Sequence, residues 1–86
     1  MRVDWEAGKA AANLARHGVA FEEAQTVFGD PLATTIFDAD HSHDEDRFIT
    51  TGFTQKGRLV VVWHTDRQGA VRIIGARDAT QRAEDI

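Results

Sequence analysis

The feature that most constrains this chain is the apolar run Arg58-Leu-Val-Val-Val-Trp-His-Thr-Asp66, together with the segment Ala70-Val-Arg-Ile-Ile-Gly-Ala-Arg77 that follows it. Both are short and rich in β-branched residues, and Arg67-Gln68-Gly69 between them is turn-like, so they read as two strands of an antiparallel hairpin. From Leu59 to Trp63 the run does not alternate with polar residues, the pattern of a strand covered on both faces in the middle of a sheet. Arg58, His64, Arg72 and Arg77 flank this centre, and function is sought there first.

A chain of 86 residues is expected to form one domain over 1–86, with a core of modest net stability. It has no cysteine, which excludes disulfides and thiolate chemistry and suits a reducing compartment. No apolar run approaches the ~20 residues of a membrane span, and the start Met1-Arg-Val-Asp-Trp5 has no signal-peptide character. The expectation is a cytoplasmic protein without membrane contact. A net charge of −4 argues against a nucleic-acid binder when taken whole. Its distribution argues differently. Residues 1–46 carry three cations against ten carboxylates, a balance of −7, whereas residues 47–82 carry seven against two, a balance of +5. A local anion site in an acidic protein takes this form.

In chain order, Arg2 to Trp5 reads as a short strand, and Glu6 as the cap of a helix over about Ala7–Arg16 that ends at Gly18. Lys9, Asn13 and His17 fall on one face of it and read as a solvated stripe, with His17 favoured at the helix C-terminus by the dipole. Val19–Phe28 is a second amphipathic helix, stopped by Gly29-Asp30-Pro31, and Leu32–Phe37 is the next strand. Asp38–Asp46 holds two imidazoles and five carboxylates and could bind a divalent ion. The His41-x-His43 spacing matches no paired zinc spacing, so a solvated loop is the preferred reading and no metal is expected.

Arg47–Gln55 is the strand before the central one, and Lys56-Gly57 suggests a two-residue hairpin. Gln55 then opposes Arg58, Phe53 opposes Val60, Ile49 opposes His64 and Arg47 opposes Asp66. With an even-numbered turn after Asp66, His64 opposes Val71 and Trp63 opposes Arg72. One face then carries Ile49, Thr51, Phe53, Val60, Val62, Val71, Ile73 and Gly75, with His64 and Arg77 toward its ends, and lies under the helices. The other places Trp63 beside Arg72, either a site for stacking a base and holding a phosphate or a cation–π pair that only stabilises the sheet. A segment from Asp78 to Ile86 could start a helix.

The chain has no Gly-rich phosphate loop, HExxH or Gly-x-Ser-x-Gly. His, Arg, Lys and carboxylates are the available chemistry. They suit cleavage of RNA by its own 2′-hydroxyl, where the substrate brings the nucleophile and no cofactor is needed. Arginine's fixed charge and forked donors fit the phosphate oxygens.

Trp5, Lys9–Val19, Phe21-Glu-Glu-Ala24, Val27-Phe28, Asp30-Pro31-Leu32, Arg47–Gly52, Gly57–Val62, His64-Thr65 and Arg72–Arg77, in this order, resemble the BrnT family of type II toxins. The resemblance implies an α+β, RelE-like fold, with two N-terminal helices packed on an antiparallel β-sheet and a short C-terminal helix. It also implies a metal-independent ribonuclease that inhibits translation. Its partner would be a BrnA-like antitoxin whose ribbon-helix-helix domain binds operator DNA. By the same resemblance, Arg72 and Arg77 hold the scissile phosphate, Lys9 and Arg47 support it and His64 is the acid–base group. Trp63, Arg58 and Lys56 are the expected RNA contacts. The chain departs from the family pattern at Gly75, where Ser is usual, at Ala20 in place of a capping Ser, and in its acidic end, Asp78, Gln81, Glu84 and Asp85. These departures suit the alternative of a catalytically weak antitoxin-binding module that acts as co-repressor.

Overall fold

The structure is a computed structural model that describes residues 1–81. Its elements are β1 (Val3–Trp5), α1 (Ala7–His17), α2 (Phe21–Ala24), β2 (Thr34–Phe37), β3 (Arg47–Phe53), β4 (Leu59–Arg67) and β5 (Ala70–Asp78). Short 3-10 turns lie at Gln25–Gly29, Ala39–His41 and Ala79–Gln81. The five strands form one sheet in the order β1-β5-β4-β3-β2, so the run singled out in the sequence is its central strand.

Three expectations change. The sheet is mixed rather than antiparallel, because β1 pairs with β5 in parallel, Val3 to Val71 and Trp5 to Ile73. The second helix keeps α geometry for only four residues before it tightens to 3-10. Asp78, expected to start a C-terminal helix, is instead the last residue of β5 and is followed by the 3-10 turn Ala79–Gln81, and the rest of the expected helix falls on residues outside those described.

Register differs for local reasons. The β3–β4 loop has three residues, Gln55-Lys56-Gly57, closed by Gly57 N–H donating to Thr54 O and Thr54 N–H donating to Arg58 O, with Gly57 at φ 79°. A type I turn followed by a left-handed glycine is the usual three-residue solution, and it moves the pairing by one. Gly52 therefore opposes Val60, Phe48 opposes His64 and Arg47 opposes Thr65. The helix-covered face of β3 is Phe48, Thr50 and Gly52, not Ile49, Thr51 and Phe53. The β4–β5 turn has two residues, Gln68 and Gly69, both at positive φ as a type I′ hairpin requires. A bulge then interrupts the ladder: His64 opposes Ile73 but Trp63 opposes Gly75, leaving Ile74 extra. It sends Ala76 to the covered face and Gly75 and Arg77 to the other.

Val19, Phe21, Ala24 and Val27 from the helical segment meet Val60, Val62, Ile73 and Ala76 from the sheet to form the core. Asn13 belongs to this framework rather than to a solvated stripe. It is 8% exposed, accepts a hydrogen bond from Ala76 N–H at 3.0 Å and donates to Ala76 O at 2.8 Å and Val19 O at 3.0 Å. Because β1 ends at Trp5, opposite Ile73, the outer edge of β5 is unpaired beyond that point, and Asn13 closes it.

Candidate functional site

Cross-strand pairing lines up Asp4, Arg72, Thr65 and Arg47 as one row across β1, β5, β4 and β3. Directly opposed residues share a face, so the sheet itself brings Arg72 and Arg47 onto the same side. Arg67, two residues beyond Thr65, joins them there. Lys9, in the first turn of α1, completes a cavity of about 150 Å³ whose charged lining is Lys9, Arg47, Arg67 and Arg72 with Glu6 and Glu45.

The three arginines are already engaged. Asp4 Oδ1 lies 3.1 Å from Arg72 Nε, Glu45 Oε1 lies 3.2 Å from Arg67 NH2, and Glu45 Oε2 lies 3.8 Å from Arg47 NH2. Thr65 is buried and donates from Oγ1 to Asp46 O at 2.6 Å, tying the end of the acidic loop to the pocket floor. Such a pocket can exchange a carboxylate for a phosphate without rebuilding its walls.

The other expected site residues lie elsewhere. His64 is on the helix-covered face, 6% exposed, stacked on Phe48 with centroids 5.9 Å apart and met edge-on by Phe28 at 5.1 Å. Its Nε2 is 2.7 Å from Thr50 Oγ1, itself 2.7 Å from Thr35 Oγ1. Burial holds its pKa below the ordinary imidazole value, with the nearby Asp66 acting weakly the other way. This is a neutral, packed histidine. Arg77 lies over the Trp63 ring, its guanidinium carbon 5.2 Å from the centroid, so the cation–π partner of Trp63 is Arg77 and not Arg72. The change follows from register, since Arg72 opposes Thr65 and Arg77 is diagonal to Trp63 across side-chain-free Gly75.

Arg58 is a strut. Its Nε is 3.2 Å from Asp78 Oδ2, its NH1 is 3.5 Å from buried Glu23 Oε1, and NH1 also donates to Gly18 O at 3.2 Å. Lys56 is exposed at the tip of the β3–β4 loop, at the end of the sheet away from Arg47. Of the expected residues, Lys9, Arg47 and Arg72 are gathered, whereas His64, Arg77, Trp63, Arg58 and Lys56 are not part of that cavity.

Asp4, Glu6, Glu45, Thr65 and Arg67 have no site role in the sequence reading. Thr65 and Arg67 follow from period-two alternation once the row through Arg72 is known, but the carboxylates come from two distant segments. The Asp38–Asp46 loop is built as an ordered turn. Ser42 Oγ donates to Asp38 O at 2.6 Å and accepts from Arg47 N–H at 2.9 Å, and His41 Nδ1 is 2.9 Å from Asp38 Oδ2. No group of three or more His, Cys, Asp or Glu side chains placed to hold a metal ion occurs among the described residues. Among those residues no helix is long and apolar enough to cross a membrane.

No curated protein matches the chain. Among solved structures, the 1.1 Å crystal structure of the Brucella abortus ribonuclease toxin, BrnT, superposes with a TM-score of 0.71 at 20% identity, covering 92% of this chain and 96% of that one. At that identity the likeness concerns the fold, an α+β arrangement of a five-stranded mixed sheet with two helices. The family model for the ribonuclease toxin, BrnT, of type II toxin-antitoxin systems matches residues 5–83, and the chain belongs to that family.

Proposed function

We propose that the cavity bounded by Lys9, Arg47 and Arg72 is where RNA is cut, in a metal-independent transesterification driven by the substrate's own 2′-hydroxyl. The observation that carries this reading is the row of Arg72, Thr65 and Arg47 across three strands, with Lys9 brought alongside by α1. Arg47 and Arg72 offer forked donors to the equatorial phosphate oxygens, and their charge does not titrate away as the phosphorane forms. Lys9 supplies a third positive group and a proton for the leaving oxygen. Arg77 and His64 have other roles, one over an indole ring and the other inside the core. The layout is read as RelE-like, and the partner as a BrnA-like antitoxin whose ribbon-helix-helix domain carries the pair to operator DNA.

Purified protein incubated with RNA in EDTA tests the reading. Cleavage is expected to persist in the chelator and to fall about 10²-fold or more in Arg47→Ala and Arg72→Ala, the usual scale for removing one transition-state donor. Unchanged cleavage in both variants, or its loss in EDTA alone, overturns it.

The ion pairs on Arg72, Arg67 and Arg47 support a second reading, a weak or inactive toxin that mainly binds antitoxin and co-represses its operon. Expression of the protein alone separates the two. Growth arrest that is abolished by Arg72→Ala supports catalysis, and normal growth at confirmed soluble expression supports the binding module.

A further inference from the structure

The cationic cavity has a neighbour. A second depression, about 170 Å³, is lined by His41, His43, Asp44, Glu45 and Arg47, and so shares Glu45 and Arg47 with the first. Arg47 therefore stands between two hollows, one holding Lys9 and the other holding an imidazole whose orientation is fixed.

That orientation is built in several steps. Asp38 N–H donates to Arg47 O at 2.8 Å, closing the neck of the loop between β2 and β3, and Ser42 bridges the same two residues through its hydroxyl. His41 N–H donates to Asp38 O at 3.3 Å and folds Ala39–His41 into a 3-10 turn. The Asp38 side chain is buried and sits 2.9 Å from His41 Nδ1, whereas the His41 side chain is 65% exposed. An imidazole that donates its Nδ1–H to a carboxylate is held in one orientation with Nε2 on the far side of the ring, the arrangement a general base requires.

We propose that His41 is the general base of the cleavage and that Asp38 is its positioning residue. The inference rests on the ribonuclease reading of the adjoining cavity. With the scissile phosphate on Arg47 and Arg72, the ribose carrying the attacking hydroxyl occupies the His41 hollow and the leaving nucleoside occupies the Lys9 hollow. His41 Nε2 takes the proton from the 2′-hydroxyl as that oxygen bonds to phosphorus. The bond from phosphorus to the 5′-oxygen breaks, and the departing oxygen takes a proton from the Lys9 ammonium. The products are a 2′,3′-cyclic phosphate and a 5′-hydroxyl, and exchange with water returns both side chains to their starting forms. Atoms and charge balance without a metal or co-reactant. Besides Asp38, the groups facing the imidazole are His43, Asp44 and Glu45 from the loop and Arg47 from β3.

The test uses the full chain and an end-labelled single-stranded RNA oligonucleotide in EDTA, with wild type and Arg72→Ala alongside. His41→Ala is expected to cleave 10²- to 10⁴-fold more slowly, to stay folded at the assay temperature by circular dichroism while melting somewhat lower because Asp38 loses its partner, and to regain activity with added imidazole. Asp38→Asn is expected to lower kcat with little change in KM. If His41→Ala cleaves like wild type while Arg72→Ala does not, the base assignment falls and the ribonuclease reading stands. A loss that imidazole leaves untouched makes His41 a loop residue and also overturns the proposal. If wild type leaves the RNA intact, the ribonuclease reading fails and the proposal falls with it.

Discussion

Burial against Phe28 and Phe48 strips solvation from the charged imidazole, which is why His64 is driven toward the neutral form. Its folded pKa lies below the unfolded value of 6.5, so the unfolded chain binds the proton more readily. The stability it contributes is complete above that value and is lost as pH falls below it. Thermal melts between pH 7 and 5 are expected to show a falling Tm in wild type and a flatter profile in His64→Gln, which retains a polar partner for Thr50. A profile equally steep in both would remove His64 as the cause. Arg58 calls for the opposite kind of test. Its guanidinium compensates Glu23, a carboxylate that also accepts from Thr54 Oγ1 at 2.9 Å inside the fold. Arg58→Ala is expected to cost about 1–3 kcal/mol in denaturant melts, for a partly exposed cation facing a buried anion, while RNA affinity stays unchanged. From sequence, Arg58 and His64 resembled site residues because each flanks the central strand. Neither the Phe28–Phe48 sandwich nor the Glu23–Asp78 clamp is local in sequence, so only packing could reassign them.

At the level of elements, hydrophobic patterning located the strands of the described residues and the first helix to within a few residues, since period and propensity are local properties, whereas the second helix keeps α geometry only over Phe21–Ala24. Register was not legible in the same way. One extra residue in the Gln55-Lys56-Gly57 loop changes which side of β3 faces the core, and the bulge at Ile74 changes it again within β5. Alternating Phe48, Thr50 and Gly52 against Ile49, Thr51 and Phe53 gives two nearly equal apolar faces, so composition does not choose between them. Gly52 does choose: a Cβ there would lie 2.8 Å from the Ala33 Cβ, so this face of β3 is closed to larger side chains at that position. Asn13 shows the same limit for α1. A polar residue four positions from Lys9 reads as solvated, yet it serves as a substitute strand for β5. Asn13→Ala leaves Ala76 N–H and C=O buried without that partner, and is expected to destabilise by about 2–4 kcal/mol, one desolvation penalty of ~1–3 kcal/mol per orphaned group with partial relaxation. Hydrogen exchange at Ala76 should accelerate more than at Val62, its cross-strand neighbour in the core. Equal changes at both sites would mean a global loss of stability rather than an opened edge.

Across the whole molecule, the sequence divides into an acidic first half and a basic second half, and three arginines of the basic half, Arg47, Arg67 and Arg72, line one cavity. That division did not show that the halves meet inside the site. Asp4 and Glu45 come from the acidic half and are paired with Arg72, Arg67 and Arg47 from the basic half, because β1 docks beside β5 and the loop before β3 folds back over the strand ends. On the proposed reading, RNA would have to compete with these carboxylates for Arg72, Arg67 and Arg47. An interface that neutralises about three phosphates, through Lys9, Arg47 and Arg72, gives a slope of log affinity against log salt concentration of about −2 for a single strand. A protein basic over its whole surface would give a much steeper one. Titration of a non-cleavable, 2′-deoxy-modified oligonucleotide across a range of NaCl concentrations measures this directly. Glu45→Gln removes the carboxylate shared by Arg47 and Arg67, and is expected to tighten binding several-fold at low salt, with the difference shrinking as salt screens it. Were Glu45→Gln to bind no better than wild type, the carboxylate would not be competing for the phosphate position, and the pocket's anion would have to be placed elsewhere.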